Sequence, residues 1–148
     1  MTAGRLAGGR AGVDIVTAGR RLVSSGSPYE ASYGYSRAVA IGDSCWVAGT
    51  TDAGPDGTSL HPADAAGQAR AAYAIAIRAL EEAGFSAADV VRTRMYVVRA
   101  EDATAVAEVN GDLFGDIRPA STLVIVAGLI DPSMLVEVEL EARRGSVS

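Results

Sequence analysis

RPASTLVIVAGLIDPSMLVEVE, Arg118 to Glu139, decides how this chain is read. Pro119 and Ala120 open an apolar run, Gly128 to Pro132 make a turn, and a strand with alternating acids follows. Leu123, Val124, Ile125 and Val126 are apolar at both parities. Side chains alternate faces along a strand, so this run predicts burial on both sides. Beyond the turn, Glu137, Glu139 and Glu141 alternate with Val136, Val138 and Leu140, which places three carboxylates on one face. Two strands are therefore expected, Thr122 to Ala127 and Leu135 to Ala142.

Upstream, Val90 to Val98 reads as a further strand, with Arg92, Arg94 and Tyr96 on one face and Met95 and Val97 on the other. Between it and the quoted stretch, Val106, Val109 and Leu113 recur at helical spacing from about Asp102, and Gly115 ends the pattern. A longer helix spans Pro62 to Gly84, with Tyr73, Ile77 and Leu80 as its apolar stripe beside Ala69 and Ala76. Pro suits a helix start and Gly its C′ position. Val39 to Ile41 and Cys45 to Thr51 are strand-like runs joined by Gly42-Asp43, the signature of a two-residue hairpin. Ala53 to Pro62 is a turn-rich loop. The expected order is ββαβαββ, an α+β fold with one mixed sheet and two helices on one face. Two helices on one side leave the other face of such a sheet open, which invites a partner subunit.

Composition narrows the chemistry. The chain has 148 residues, enough for one domain with a sizeable core. Residues 1–25, Ala/Gly-rich and without a secretory h-region, are expected to be a loose N-terminal arm, with a single domain over 26–148 and the cytoplasm as compartment. All 13 basic residues are arginine, so Schiff-base lysine chemistry and a P-loop lysine are excluded. One histidine, His61, and one cysteine, Cys45, make a His/Cys metal cage within one chain unexpected, and no cofactor is implied. A net charge of −5 opposes capture of a nucleic-acid backbone. No apolar run approaches the ~18 residues that would span a bilayer.

The quoted stretch resembles the C-terminal signature of the Rid family, the reactive intermediate deaminases of YjgF type. The resemblance runs from about Gly34 to Ala142. Gly34-Tyr35 is similar to the family's Pro-Tyr, Val47-Ala48-Gly49-Thr50 to its second strand, and Pro62 to Gly84 to its Ala/Gln-rich first helix. The resemblance implies a chorismate-mutase-like fold, a homotrimer and small-molecule clefts between subunits. It also implies site residues: Glu137 to position water as acid/base, Tyr35 near the substrate, and Ser121, Thr122, Leu123, Gly49 and Thr50 as ligand contacts.

One departure matters. Family deaminases carry an arginine directly after the Pro-Ala, where it pairs with the carboxylate of a 2-imino acid; Ser121 stands there in this chain. A guanidinium fork makes two parallel charge-assisted bonds, and one hydroxyl cannot replace it. Arg118 lies three residues upstream, which on an extended strand points it to the opposite face, towards a surface or intersubunit ion pair. The expected function is therefore hydrolysis of an imine, enamine or related carbonyl derivative, with Glu137 as acid/base, other than the standard deamination of 2-imino acids. A non-catalytic ligand-binding or regulatory paralogue is the alternative, and an endoribonuclease or translation inhibitor is opposed by the charge balance. His61, in its turn-rich loop, reads as a solvated imidazole, and Cys45 as a small buried hydrophobe.

Overall fold

The structure, a computed structural model, describes residues 12–17 and 19–145. Seven strands form one sheet: β1 (Gly12–Thr17), β2 (Arg20–Ser24), β3 (Ala38–Ile41), β4 (Ser44–Thr50), β5 (Val90–Val97), β6 (Ala120–Ile125) and β7 (Val136–Arg143). Their order across the sheet is β1-β2-β3-β4-β7-β5-β6. Only the β5–β6 pair is parallel, so the sheet is mixed. Three helices accompany it: α1 (Pro28–Tyr33), α2 (Ala65–Glu82) and α3 (Ala103–Phe114). The fold is α+β, and β3 to β7 with α2 and α3 follow the expected ββαβαββ order.

Three elements, β1, β2 and α1, precede that order. The expected arm, 1–25, contains β2, which pairs in register with β3 from Arg20↔Ile41 to Val23↔Ala38, and Val23 is buried in the core. β1 extends the sheet by one more strand. An arm boundary at residue 25 is therefore too late; residues 1–11 lie outside the described residues. Rows of arginine and short apolar runs hid these strands, because the sheet they join supplies half of their burial.

β3 and β4 meet as a hairpin with Ile41 opposite Ser44, and Gly42 adopts φ +56° at the first turn position. The core lies between the sheet and the pair α2 and α3. Ala69, Ala72, Tyr73, Ala76 and Leu80 of α2 pack on Val136, Val138, Leu140 and Ala142 of β7. From α3, Val106 and Val109 are buried as expected, but Leu113 is exposed and Phe114 fills the core instead, edge-on to Tyr73. α2 starts three residues later than Pro62, with the Asp64 carboxylate accepting from the Gly67 amide as N-cap. Its end is as expected. Gly84 has φ +88°, its amide donates to the Glu81 carbonyl, and the Phe85 amide donates to the Leu80 carbonyl, closing a Schellman motif.

β6 departs most from expectation. Leu123 packs partly against the core, but Val124 and Ile125 are exposed, because β6 is the sheet's edge and has only β5 beside it. The apolar run is not buried on both faces within one chain. Arg118 is not in this strand either. It takes φ +53°, and its amide donates to the Phe114 carbonyl in the turn that ends α3, so strand parity does not apply to it.

Candidate functional site

β7 alternates buried and half-buried residues, which turns Glu137, Glu139 and Glu141 to the face opposite α2. Across the sheet, Tyr96 is level with Glu137, Arg94 with Glu139 and Arg92 with Glu141. Arg94 bridges Glu141 at 3.1 Å and Glu139 at 3.5 Å, and Tyr96 donates a hydrogen bond to Glu139. Glu139 and Glu141 are therefore engaged in a local network. Glu137 is not: among the described residues it has no salt bridge and no side-chain hydrogen bond.

What lies against Glu137 is backbone. Between Val47 and Thr50 the β4–β7 register slips, a bulge that contains Gly49, and the Glu137 side chain lies over that glycine. A Cβ on Gly49 would come within 2.5 Å of the Glu137 carboxylate oxygen, so only glycine leaves room for the carboxylate as it stands. Burial pushes the Glu137 carboxyl above the ordinary carboxylate range, the nearby Arg37 guanidinium pulls it back, and Glu139 adds to the rise. A carboxyl raised in this way can hold or release a proton closer to neutral pH.

Arg37 was not singled out from the sequence. It precedes β3, is buried, and donates from one terminal nitrogen to the Gly49 carbonyl at 2.6 Å and to the Thr50 hydroxyl at 2.9 Å. Its other terminal nitrogen reaches the Tyr35 hydroxyl at 3.4 Å, and its guanidinium carbon lies 5.5 Å from the Tyr35 ring centre. Tyr35, Gly49, Thr50 and Glu137 are thus gathered around one arginine. A cavity of about 600 Å³ opens beside them, between α1 and the sheet, with Tyr35, Trp46 and Glu139 in its wall. The signal in the sequence was faint, because an arginine flanked by Ser36 and Ala38 looks like any surface residue.

Ser121, Thr122 and Leu123 stand apart. β5 separates β6 from β7, so at a strand spacing of ~4.8 Å they lie roughly 10 Å from β7 within one chain. Ser121 also points to the helix side of the sheet, where its hydroxyl accepts from buried Thr93 at 2.8 Å, whereas Glu137 points to the other side. One chain therefore holds two groups of expected site residues, not one.

His61 is not simply solvated. Its Nδ1 lies 3.0 Å from Oδ2 of buried Asp52, which also accepts from the Ser59 hydroxyl at 2.8 Å and the His61 amide at 3.0 Å. These bonds tie the 52–61 loop together around one carboxylate. Cys45 is fully buried, and burial pushes its thiol up to about 11. Among the described residues no three His, Cys, Asp or Glu side chains are grouped to hold a metal ion, and no helix is long and apolar enough to cross a membrane.

Comparison with known proteins identifies relatives of the chain. The family model described as endoribonuclease L-PSP matches residues 15–144. An uncharacterized protein of Streptomyces coelicolor is 43% identical over 128 residues, covering 86% of this chain and 94% of its own. The crystal structure of Rv2704 from Mycobacterium tuberculosis, a member of the YjgF/YER057c/UK114 family, superimposes with a TM-score of 0.76 at 46% identity, covering 84% of this chain and 99% of its own. TdcF of E. coli, solved with bound serine, superimposes with a TM-score of 0.65 at 26% identity over 75% of this chain and 88% of its own.

Proposed function

Since the chain belongs to the endoribonuclease L-PSP family, also called YjgF or Rid, we propose that it acts on a small imine, enamine or related carbonyl derivative, with Glu137 as acid and base. The observation that carries this reading is the Glu137 carboxyl, raised by burial, held against the Gly49 backbone and left without a partner of its own. In imine hydrolysis, water gives a proton to the carboxylate as its oxygen bonds to the imine carbon. The carboxyl passes that proton to nitrogen to give a carbinolamine; the same group then moves the carbinolamine's hydroxyl proton to nitrogen as the C–N bond breaks, and a carbonyl compound and an amine or ammonia leave. One group of intermediate acidity serves each transfer. Tyr35 borders the same space, and its hydroxyl can orient a polar ligand. The serine bound to TdcF supports a small polar ligand in this fold.

The cleft of this reading lies between subunits of a homotrimer. Members of the family are commonly oligomeric. The exposed β6, with Val124 and Ile125 uncovered, is the natural surface for a second copy. Ser121, Thr122 and Leu123 of one copy would then face the Glu137 group of the next.

Ser121 sets the expected specificity. Hydrogen bonds to charged partners contribute roughly 1.5–3 kcal/mol each and a neutral one about 1, so replacing a two-bond carboxylate clamp by one hydroxyl costs on the order of 2–5 kcal/mol in the transition state. That is about one and a half to three and a half orders of magnitude in rate. The test compares wild type, Glu137→Ala, Ser121→Arg and Ser121→Arg/Glu137→Ala on a panel of imines generated in situ. We expect turnover of at least one imine that depends on Glu137, with 2-iminopropanoate a poor substrate improved by Ser121→Arg. Equal rates for wild type and Glu137→Ala across the panel would refute the catalytic role and leave a ligand-binding protein.

The description of the matched family model favours one other reading, cleavage of RNA. The net charge of −5 opposes it, because phosphate capture relies on cationic side chains. Nuclease-free protein should leave a defined RNA intact. Cleavage abolished by Glu137→Ala would reverse the order of the two readings.

A further inference from the structure

Resting on that reading, we infer that Arg37 is the anion-recognition residue of the Glu137 site, so that the ligand carries a carboxylate or a similar oxyanion. Arg37 is the one arginine among the buried charged residues of the described chain. A buried guanidinium is costly unless a counter-charge or a full set of acceptors compensates it. Arg37 has neither. Its three partners are neutral oxygens, the Gly49 carbonyl and the Thr50 and Tyr35 hydroxyls. Among the described residues it forms no salt bridge and its Nε has no acceptor. Other arginines of the chain meet their acids directly, as Arg94 does with Glu139 and Glu141 and Arg99 with Asp102.

The contacts Arg37 does make hold it still. One terminal nitrogen is fixed by the β4 bulge, which orients the planar fork. The Tyr35 ring packs 5.5 Å from the guanidinium carbon and restricts it further. A guanidinium has five N–H donors, and the bulge and Tyr35 leave some unused. A fork held in this way, with unused N–H donors and no direct salt bridge to the nearby carboxyl, favours an anion arriving from outside. Gly49 links the two groups, since its carbonyl accepts from Arg37 and its missing side chain admits Glu137.

Arg37 does not restore the family's clamp. An acid group held here approaches from the β3–β4 side, whereas Ser121 lies on β6. A 2-imino acid would sit in a different orientation, so binding through Arg37 and slow turnover of 2-iminopropanoate are compatible.

The test is a titration of isotope-labelled protein with pyruvate and, separately, with methyl pyruvate, which has the same skeleton without the charge. The readouts are the Arg37 Nε–Hε resonance, assigned by its loss in Arg37→Lys, and the Gly49 amide. Pyruvate is expected to move both signals saturably, and methyl pyruvate to leave the Arg37 signal in place at the same concentrations. Arg37→Lys is expected to weaken pyruvate binding by at least about tenfold, because an ammonium lacks the planar fork. Glu137→Gln, which removes a nearby negative charge, should bind pyruvate at least as well as wild type. A stationary Arg37 signal at saturating pyruvate, or equal affinity in Arg37→Lys, overturns the inference. Neither result touches the proposed chemistry, which is judged by the dependence of turnover on Glu137. If Arg37→Lys fails to fold, the wild-type Arg37 signal still decides the question.

Discussion

At the scale of single residues, Gly49 and Glu137 form one unit. Gly49→Ala would place a Cβ 2.5 Å from the Glu137 carboxylate oxygen. That oxygen is the tip of a flexible side chain and can swing away, so the fold should survive with a change within about 1 kcal/mol. The site should not. The displaced carboxyl would meet more water, and its pKa should fall towards the ordinary range when the Glu137 side-chain carbon is titrated by NMR. A titration identical to wild type would contradict this coupling. Glu137 also predicts a pH dependence. Its folded-state pKa is raised, so between the ordinary value and the raised one the native state binds more protons than the unfolded state. Stability from this group is complete below the ordinary carboxylate range and is lost as pH rises through the folded pKa. Glu137→Gln should therefore melt higher than wild type at neutral pH, with the two converging in acid. Melting curves across pH for both proteins check the sign.

At the scale of elements, Gln68 connects α2 to two loops. It is fully buried, donates to the His61 carbonyl at 3.2 Å and the Ser133 carbonyl at 3.0 Å, and accepts from the Leu135 amide at 2.7 Å. The loop before α2 and the turn before β7 are thereby set against each other, which fixes where β7 begins and hence where Glu137 lies. Gln68→Ala would strand three backbone groups and should destabilise by about 2–4 kcal/mol. For a domain of this size that is on the order of 5–15 °C in melting temperature. Differential scanning calorimetry would measure it; a loss below about 1 kcal/mol would mean that water replaces the amide. The sequence pattern showed α2 by its apolar stripe but not this role, because a polar residue at the first turn of a helix reads as exposed.

At the scale of the whole molecule, the uncovered edge at β6 is the main unfinished surface. Val124 is 40% exposed and Ile125 49%, on a strand whose outer hydrogen-bonding edge has no neighbour in one chain. We expect a trimer in solution at micromolar concentration. Val124→Glu should shift it towards monomer, since a charge in an apolar interface has no compensating partner. Sedimentation equilibrium of both proteins tests this, and a one-chain mass for wild type would remove the shared cleft from the proposal.

Sequence alone determined the mixed α+β order from β3 to β7, because periodicity, the Gly42-Asp43 hairpin and the Gly84 helix stop are local signals that neighbouring residues enforce. It also placed Glu137, Glu139 and Glu141 on one face, since strand parity is a local rule. The tertiary structure decided what those faces meet. β2 joined the sheet because β3 gave it a partner, β6 became an edge because the chain order left it one neighbour, and Leu113 yielded the core to Phe114 through the packing of α3. Of the three acids, only contact with the β4 bulge sets Glu137 apart, while Arg94 and Tyr96 engage the other two. Arg37 reached that carboxylate's neighbourhood through β3 pairing and the bulge at Gly49. Burial and charge at a site are sums over residues distant in the chain, and no local pattern records them.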